Sequence, residues 1–563
     1  MSDSCHGRPA PDGTGAWRDL VALLLLTGLA LGLGLGSRSP WWPAESGVAL
    51  AGSEMLGIGQ WRIPQLGGQP TGQPILPVWL SAFAQQMFGS VRAGFLVPTF
   101  AAALATMALV WDFARRLSGR EAALAAGLLL LITLQFGAAA RNGAPDMLLC
   151  LFTTLTLYGL LRHLLFGPAR GWFLAGSAAA GIGMLAHPMG YLGLLTLVPW
   201  AAGRMRGWPA CRPEPTPWAA AAAMFLVIAA VPLLLALTTG ITGDQAPEGL
   251  VARIRGTSGW PEGPGFLLFW WLPLTALAIW LWPRWREALT DGDVRILLLG
   301  GWLILAGLVL AFGTDGRSRD FLPLLPAAVL LASPWLPMLS RCRSVRQAAL
   351  ALTFAVPLSV LAFALWPPAF VQAAQTSGEA FPWPFVQWAV LPALGIGILL
   401  GPRHPLAAMV LVICGTGVLL STLGRPTLDD TRSGRDVMAL AELTAPAGQA
   451  LGLLDPDPRF LLTASRPLAL AARQADRREE HRAMFAWLAD HEGRRLLASG
   501  TSAGCFDTHG ATLLGSIGLE AWYLLRGGDV LAGCRRGRGT GESIIEWSPT
   551  SGGRAAESSA RIP

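Results

Sequence analysis

Long apolar runs recur along this chain and leave few ways for it to fold. Each run is about 17–25 residues long, enough for a helix to cross a bilayer, and short gaps that carry arginine separate them. Only 14% of the residues are charged, against roughly 25% in soluble domains. The sequence therefore predicts a mainly α-helical, polytopic membrane protein with about 13 spans.

The placement of arginine predicts the orientation. With the N-terminus in the cytoplasm, the inner loops hold nearly twice as many arginines as the outer ones, as expected for a membrane protein. Residues 1–18 then form a cytoplasmic tail, and residues 19–424 form a membrane domain whose first outer loop covers 37–92. Basic loops beside anionic lipid account for the net charge of +7, so we predict no nucleic-acid partner.

The chain changes character after residue 425. Charged residues replace the apolar runs, and shorter periodic segments follow. The interpretation is a small C-terminal α/β domain over 425–535, on the outer side of the membrane and long enough to bury its own core. Its predicted elements are a strand at 450–455, a helix at 477–491, and closing strands at 518–528 and 530–535.

The last residues and the cysteines add two expectations. Residues 536–563 are rich in Gly, Ser and Arg, which predicts a disordered tail. Cys505 and Cys534 fall in the predicted α/β domain, where an oxidising compartment would allow a disulfide; two unpaired buried cysteines are the alternative. No C-x-x-C pair is present, which argues against a zinc or redox motif.

Ionisable side chains at span ends are candidates for function, because they are costly to place there. Four such places fall on the same predicted outer side: Glu45, RNGAPDM (141–147), LAHPMG (185–190) and FGTDGRSRDFLPLLP (312–326). Charges without a shared role would not need to favour one side. The convergence therefore predicts a site at the outer membrane surface.

Each candidate has a plainer interpretation. Asp146 follows Pro145 and would serve as a cap for the next helix. His187 would be an interfacial histidine, and Arg317 and Arg319 would be flanking charges. In the functional interpretation the two guanidinium groups bind a phosphate or pyrophosphate, which their planar donor geometry suits.

Three motifs together resemble one known group. They are GQWRIPQLGGQP (59–70), AARNGAPDM (139–147) and GRSRDFLPLLP (316–326). With the acid after the first span and the outer α/β domain, they resemble the GT-C class of polyprenyl-phosphate-sugar glycosyltransferases. Within this class the sequence is similar to the bacterial lipid A aminoarabinose transferases and the related protein mannosyltransferases.

The resemblance implies an enzyme of the bacterial inner membrane, with its C-terminal domain in the periplasm. Such an enzyme transfers a sugar from an undecaprenyl-phosphate carrier to a lipid A-like or other acceptor, with inversion, as in lipopolysaccharide modification. By position, Glu45 and Asp146 would be the catalytic acids. Arg317, Arg319, His187 and Arg141 would bind substrate or phosphate. The resemblance implies neither a metal nor another cofactor.

The sequence also departs from the pattern of this group. The group shows D-E-x-x-Y after the first span, and here Ala44 occupies the Asp position and Val48 the Tyr position. Gln73 and His187 stand where the group has basic residues. Either Glu45 takes the catalytic role, or the chain is a catalytically degenerate GT-C-like protein that binds a polyprenyl lipid or glycolipid. A transporter is a third interpretation, but no clear internal repeat supports it.

Overall fold

The computed structural model has a long helical part followed by a mixed β-sheet. It describes residues 15–41, 43–59, 61–207, 217–239, 268–314, 318–365, 383–446, 448–472, 477–517, 520–531, 534 and 544–549.

The helical part contains eighteen α-helices within these described ranges. In chain order they are α1 (Gly15–Gly32), α2 (Pro43–Ile58), α3 (Ile75–Phe88), α4 (Val91–Gly94), α5 (Val97–Ser118), α6 (Arg120–Ile132), α7 (Leu134–Ala139), α8 (Asp146–Phe166), α9 (Arg170–Ala186), α10 (Leu197–Met205), α11 (Trp218–Thr239), α12 (Leu274–Thr290), α13 (Val294–Gly313), α14 (Leu325–Ala332), α15 (Leu336–Leu339), α16 (Arg343–Leu365), α17 (Trp383–Leu400) and α18 (Pro405–Leu419). Three 3-10 helices of the described residues interrupt this series: Gly190–Thr196, Ser318–Leu324 and Ser333–Trp335.

Six helical stretches of the described residues are long and apolar enough to cross a membrane. They are Gly15–Gly32, Val91–Ser118, Asp146–Phe166, Val294–Gly313, Arg319–Leu339 and Pro405–Leu428. The chain is therefore a mainly helical, multi-pass membrane protein, as predicted. The number of about 13 spans stays a prediction, because other predicted spans coincide with shorter helices or extend onto residues outside the described ranges.

The first outer loop folds into two helices with a small hairpin between them. Helices α2 and α3 pack on each other, and strands β1 (Gln65–Leu66) and β2 (Gln69–Pro70) pair antiparallel between them. Gly67 and Gly68 form the hairpin turn with positive φ angles of 64° and 75°, which glycine adopts without strain. The loop is thus a packed element that presents Glu45 and Glu54 from one helix.

The C-terminal residues form a six-stranded sheet in the order β6-β7-β5-β3-β4-β8. Its strands are β3 (Leu451–Leu453), β4 (Leu468–Ala471), β5 (Arg495–Ser499), β6 (Thr512–Ile517), β7 (Glu520–Leu525) and β8 (Ile544–Trp547). The three central strands are parallel and the outer three antiparallel. The helices of this region are α19 (Asp429–Ser433), α20 (Arg435–Thr444), α21 (Pro458–Thr463) and α22 (Arg477–Ala489).

Apolar side chains cover both faces of this sheet. Residues of α20 and α21 pack on one face, and Leu50 of the first outer loop joins them. Met484, Phe485 and Leu488 of α22 pack on the other face. The sheet is therefore held to the helical part through one of its two cores, because that core includes a residue of α2.

The end of the sheet differs from the sequence prediction. Residues 544–547, which the composition of the region assigned to a disordered tail, form β8 and pair with β4. Ile544, Ile545 and Trp547 favour a strand, and Trp547 is buried. The prediction missed this strand because the residues around it are mostly Gly, Ser and Arg. In the predicted strand 530–535, Val530 forms only an isolated bridge with Phe506. Cys505 and Cys534 are joined by a disulfide. Of the two alternatives, a disulfide or two unpaired buried cysteines, the structure has the disulfide.

Candidate active site

The segment between α7 and α8 lies at the centre of the candidate site. It carries Arg141 and Gly143, and Asp146 begins α8. The Gly143 amide donates a hydrogen bond of 3.0 Å to the Glu45 carboxylate. A Cβ at Gly143 would come within 2.8 Å of the Phe95 ring, so a larger residue would displace this segment. Two clusters of charged side chains flank it.

The first cluster surrounds the carboxylate of Glu45. Arg38 donates to both oxygens, at 2.8 and 2.6 Å, and the Trp41 amide donates at 3.1 Å. With the Gly143 amide, each carboxylate oxygen accepts two N–H groups. The Arg38 and Glu45 side chains are 3% and 0% exposed. This bidentate, fully bonded pair holds α2 against the α7–α8 segment.

Two further arginines complete what we call the Glu45 cluster. Arg38 and Arg425 both donate to the main-chain carbonyl of Arg141, at 3.0 and 2.9 Å. The Arg141 guanidinium donates to the carbonyls of Ala30 and Gly137. Burial lowers the pKa of Arg141 to about 10. The cluster thus places three guanidinium groups beside one carboxylate, a balance that favours a nearby anion.

Asp429 ties the same loop to the end of the last described span. It accepts from the Ser39 amide at 2.6 Å, from the Trp41 indole at 2.8 Å and from Arg92 at 2.9 Å. Because these partners belong to separate chain segments, Asp429 fixes the entry to the first outer loop. Its role here is structural.

The second cluster, here the Asp146 cluster, consists of Asp146, His187, Arg319 and Asp320. The charges of Arg319 and Asp320 lie within electrostatic range of both Asp146 and His187. The Arg319 Nε atom lies 3.8 Å from Asp320 Oδ1. All four side chains are at least partly exposed. Three separate segments therefore bring two carboxylates, a guanidinium and an imidazole to one accessible place.

Asp146 differs sharply from Glu45 in its bonding. It is the first residue of α8, and Pro145 occupies the cap position. Within the described part of the chain, no hydrogen bond engages the Asp146 carboxylate. The plainer interpretation, a helix cap, is therefore not what the structure shows. A partly exposed carboxylate without a fixed donor is available to a substrate hydroxyl.

The hydrogen bonding of His187 defines its tautomer. The Met189 amide donates to Nδ1 at 3.1 Å, so this nitrogen is an acceptor. In the neutral ring the proton then resides on Nε2, which is left as a donor. His187 follows α9, and Gly190 packs against Gly183 directly behind this turn. The imidazole therefore keeps one N–H donor, Nε2–H, within the electrostatic range of Arg319 and Asp320.

The residues predicted from the sequence are distributed between these clusters. Glu45 and Arg141 meet in the first, and Asp146, His187 and Arg319 meet in the second. Arg317 lies outside the described residues. The two clusters are adjacent along the chain, because Gly143 belongs to one and Asp146 to the other.

Several charged members were not predicted. Arg38 and Arg92 were counted only as arginines of the outer loops, and Asp429 only as part of the charged region after residue 425. Arg425 and Asp320 were not singled out. Arg38 carried a usable signal, since it lies in S-R-S directly between the first apolar run and Glu45. Arg425 donates to the main-chain carbonyl of Arg141, as Arg38 does. Nothing local in the sequence indicates this contact, because Arg425 lies 380 residues after Glu45.

The departures at Val48 and Gln73 have a packing explanation. Val48 is buried in a small core with Ala51, Met55 and Val78. The amide of Gln73 lies against Gly47, where an added Cβ would approach it to 2.9 Å. These side chains hold α2 to the following segment. Within the described part of the chain, no three His, Cys, Asp or Glu side chains are grouped to hold a metal ion.

Comparison with known proteins adds a consistent result. A family model described as dolichyl-phosphate-mannose-protein mannosyltransferase matches residues 72–235. The undecaprenyl phosphate-alpha-4-amino-4-deoxy-L-arabinose arabinosyl transferase of Edwardsiella ictaluri (strain 93-146) is 29% identical over 204 residues, which is 34% of this chain and 35% of that protein. The match thus spans about a third of that relative's length.

The solved structures extend the comparison to nearly the whole chain. ArnT from Cupriavidus metallidurans bound to undecaprenyl phosphate superposes with a TM-score of 0.69 at 18% identity, over 93% of this chain and all of that one. The chain has the fold of ArnT. The apo form of ArnT superposes with a TM-score of 0.66. The resemblance to GT-C glycosyltransferases of the aminoarabinose transferase group is thereby confirmed.

Proposed function

We propose that this protein transfers a sugar from an undecaprenyl-phosphate carrier to a lipid A-like or other acceptor at the periplasmic face of the inner membrane. The ArnT fold and the name of the Edwardsiella relative support this class of reaction. The observation that carries the proposal is the convergence of Asp146, His187 and Arg319 from three segments of the chain.

The proposed reaction is a single displacement with inversion. The acceptor hydroxyl oxygen attacks the anomeric carbon of the sugar, and the bond from that carbon to the carrier phosphate oxygen breaks. Undecaprenyl phosphate leaves with the electron pair, and the hydroxyl proton passes to Asp146, which acts as general base. Arg319, with Arg317 and the Nε2–H of His187, binds the phosphate and stabilises the charge that develops on it.

Glu45 is assigned a positioning role in this proposal. Its four N–H donors leave neither carboxylate oxygen a geometry suited to taking a proton from an acceptor. Glu45 instead fixes the segment that ends at Asp146. Ala44 stands where the family has an aspartate. Glu45 need not take over the role of that aspartate, because Asp146 serves as the base.

We propose the periplasm as the location of the site and of the C-terminal sheet. Arginine is enriched in the loops at the opposite ends of the spans. The disulfide between Cys505 and Cys534 fits an oxidising compartment. The sheet also contacts the first outer loop, so both belong to the same side of the membrane.

Two observations favour a second function: the Glu45 carboxylate is bonded to Arg38, and Ala44 stands where the family has an aspartate. A site whose first acid is absent and whose neighbouring acid is bonded to arginine could retain lipid binding and lose turnover. The protein would then be a catalytically degenerate member of the GT-C fold that binds a polyprenyl lipid or glycolipid for a partner enzyme.

A reconstitution experiment separates the two functions. Purified protein in vesicles is given a panel of undecaprenyl-phosphate sugars with a crude lipopolysaccharide acceptor, and release of undecaprenyl phosphate is measured. Release above protein-free vesicles supports the transferase. Binding of a donor without release from any donor, in the wild-type protein, overturns the transferase and supports the binding protein.

A further inference from the structure

An apolar cavity lies between helices at the opposite ends from the candidate active site. Helices α6, α12, α15, α16 and α18 form its wall, and about 940 Å³ of space is unfilled by atoms, its open side included. All lining side chains are apolar or aromatic except Ser340. The cavity suits a hydrocarbon chain and offers almost nothing to a polar ligand.

The positions of the lining residues define its depth in the membrane. Ser340 and Val345 flank the turn between α15 and α16, and Leu406 lies at the start of α18. On α6 the lining residues extend to Ile132, the last residue of that helix. Arg141 of the candidate active site follows nine residues later in the chain. The cavity therefore runs from the arginine-rich ends of the spans toward the middle of the bilayer.

Exposed arginines lie in the chain segments next to the residues that line one end of the cavity. Arg343 and Arg346 lie in the first turn of α16, next to the lining residue Val345, and Arg403 precedes α18. Arg346 donates to the carbonyl of Arg403 at 3.3 Å, which joins the two segments. The site thus combines an apolar interior with three exposed arginines in the segments next to its lining, at the end of the spans where lipid phosphates lie. The carboxylate of Glu121, at this end of α6, is paired with a fourth arginine, Arg341.

We propose that this cavity binds an anionic phospholipid of the cytoplasmic leaflet. One acyl chain occupies the apolar interior, and the lipid phosphate lies among Arg343, Arg346 and Arg403. This charge complementarity selects the occupant: free phosphate leaves the cavity empty, and an uncharged amphiphile leaves the arginines unused. The proposal is independent of the proposed transferase function, because the head group lies at the opposite membrane surface from Asp146.

The test compares lipids on the purified full-length protein by native mass spectrometry and thermal unfolding. The probes are dioleoylphosphatidylglycerol, dioleoylphosphatidylcholine, undecaprenyl phosphate and inorganic phosphate. We expect retention of phosphatidylglycerol and a rise in Tm with that lipid, and neither effect with phosphatidylcholine or inorganic phosphate. Equal binding of the two phospholipids, or displacement of phosphatidylglycerol by stoichiometric undecaprenyl phosphate, would overturn the proposal.

A matched pair of variants localises the site. R343Q/R403Q removes two of these arginine charges and leaves the Arg346 hydrogen bond in place, whereas R204Q/R206Q removes two exposed charges at the end of α10. We expect the first variant to bind phosphatidylglycerol roughly tenfold more weakly and the second to bind it as the wild type does. Equal weakening in both variants would contradict a defined site.

A cavity-filling variant supplies an independent measurement. A348F places a ring in the lining of the cavity and should lose the bound phosphatidylglycerol while Arg343, Arg346 and Arg403 remain. Its elution profile and its Tm without added lipid show whether it is folded. A folded A348F that keeps the lipid at wild-type affinity would contradict occupation of the cavity by an acyl chain.

Discussion

Glu45 and Asp146 show how two carboxylates in one site can have different roles. Glu45 is buried, with Arg38 and two main-chain amides on its oxygens. Asp146 is partly exposed and lies near Arg319. The first arrangement stabilises a fixed negative charge, and the second leaves a carboxylate free to meet a hydroxyl. We therefore infer that the hydrogen bonds to each carboxylate distinguish the two roles. Glu45, whose oxygens are fully bonded, is the positioning acid, and Asp146 is the base, although Glu45 is the acid next to the first span.

Glu45→Gln should destabilise the protein. The change leaves the Arg38 charge buried beside a neutral amide, and breaking one partner of a buried ion pair costs about 3–5 kcal/mol. Thermal unfolding in detergent measures this loss. Glu121→Gln is the control, because it breaks the exposed pair with Arg341, worth about 0–1 kcal/mol. A stable but inactive Glu45→Gln protein would instead support Glu45 as the base.

At this scale the sequence identified candidates but not their bonding. Glu45, Asp146, His187 and Arg319 stood out because charged residues at span ends are uncommon. Which acid is neutralised by arginine depends on Arg38 and on the Gly143 amide, which meet Glu45 only after α2 and the α7–α8 segment have packed together. The sequence therefore left Glu45 as either a base or an acid that positions the acceptor, and its contacts are the reason why we propose a positioning role.

Close packing of glycines fixes the turn that carries His187. A Cβ at Gly190 would come within 2.1 Å of the Gly183 main chain, and one at Gly176 within 3.1 Å of Thr156. Small residues at such contacts let helix backbones approach each other inside a membrane. The segment Gly190–Thr196 can therefore pack directly on α9, and the position of the imidazole depends on that contact.

Gly190→Ala should displace this turn, lowering both the Tm and the rate of sugar transfer. The added methyl group meets main-chain atoms of Gly183 and Met184, which cannot rotate away. Gly171→Ala, on the helix α9 against which this turn packs, is the matched control, because no atom lies within 4 Å of the added Cβ. Ala also favours helix over Gly, so the control should keep or gain stability. Wild-type Tm and activity in Gly190→Ala would contradict the proposed role of this contact.

Element prediction succeeded where the periodic pattern was strong. The predicted helix at 477–491 corresponds to α22, and the predicted strand at 450–455 contains β3. It failed at β8, because only three strand-forming residues, Ile544, Ile545 and Trp547, lie within a stretch whose composition is typical of disorder. The pairing of β8 with β4 stabilises a segment that local composition could not identify.

The whole molecule is held together by contacts between the first outer loop and the C-terminal sheet. The Glu54 carboxylate accepts from the Gly67 amide and the Trp547 indole, both at 2.9 Å, and from the Gly68 amide at 3.3 Å. Gln69 donates to the Ala471 carbonyl at 2.8 Å. Trp547 is 493 residues from Glu54, and Ala471 is 402 residues from Gln69, so no local sequence pattern could reveal the contact. The contact couples the helix that carries Glu45 to the sheet.

Burial of Glu54 predicts a pH dependence of this contact. Burial raises the pKa of Glu54, and its three N–H donors only partly offset the shift. Because the folded state favours the protonated carboxyl, the free energy of unfolding should fall as pH rises from the usual Glu pKa through the raised one. Thermal unfolding measured across that range should show the decline.

Glu54→Gln tests the assignment of that decline. The variant cannot titrate, and its amide oxygen can still accept from Trp547 and Gly67. Its unfolding should therefore depend less on pH than that of the wild type. Glu442→Gln, which removes an exposed carboxylate bonded to Ser465, is the control and should retain the wild-type slope. The same slope in Glu54→Gln as in the wild type would remove Glu54 as the cause.

The most direct test of the central claim measures donor binding and undecaprenyl phosphate release together in Asp146→Asn. Asp490→Asn, an exposed change on the C-terminal domain, serves as the control. If Asp146 is the base of a sugar transferase, Asp146→Asn binds the donor and releases no undecaprenyl phosphate, whereas the control releases it at the wild-type rate. Wild-type release from a folded Asp146→Asn protein would contradict the account.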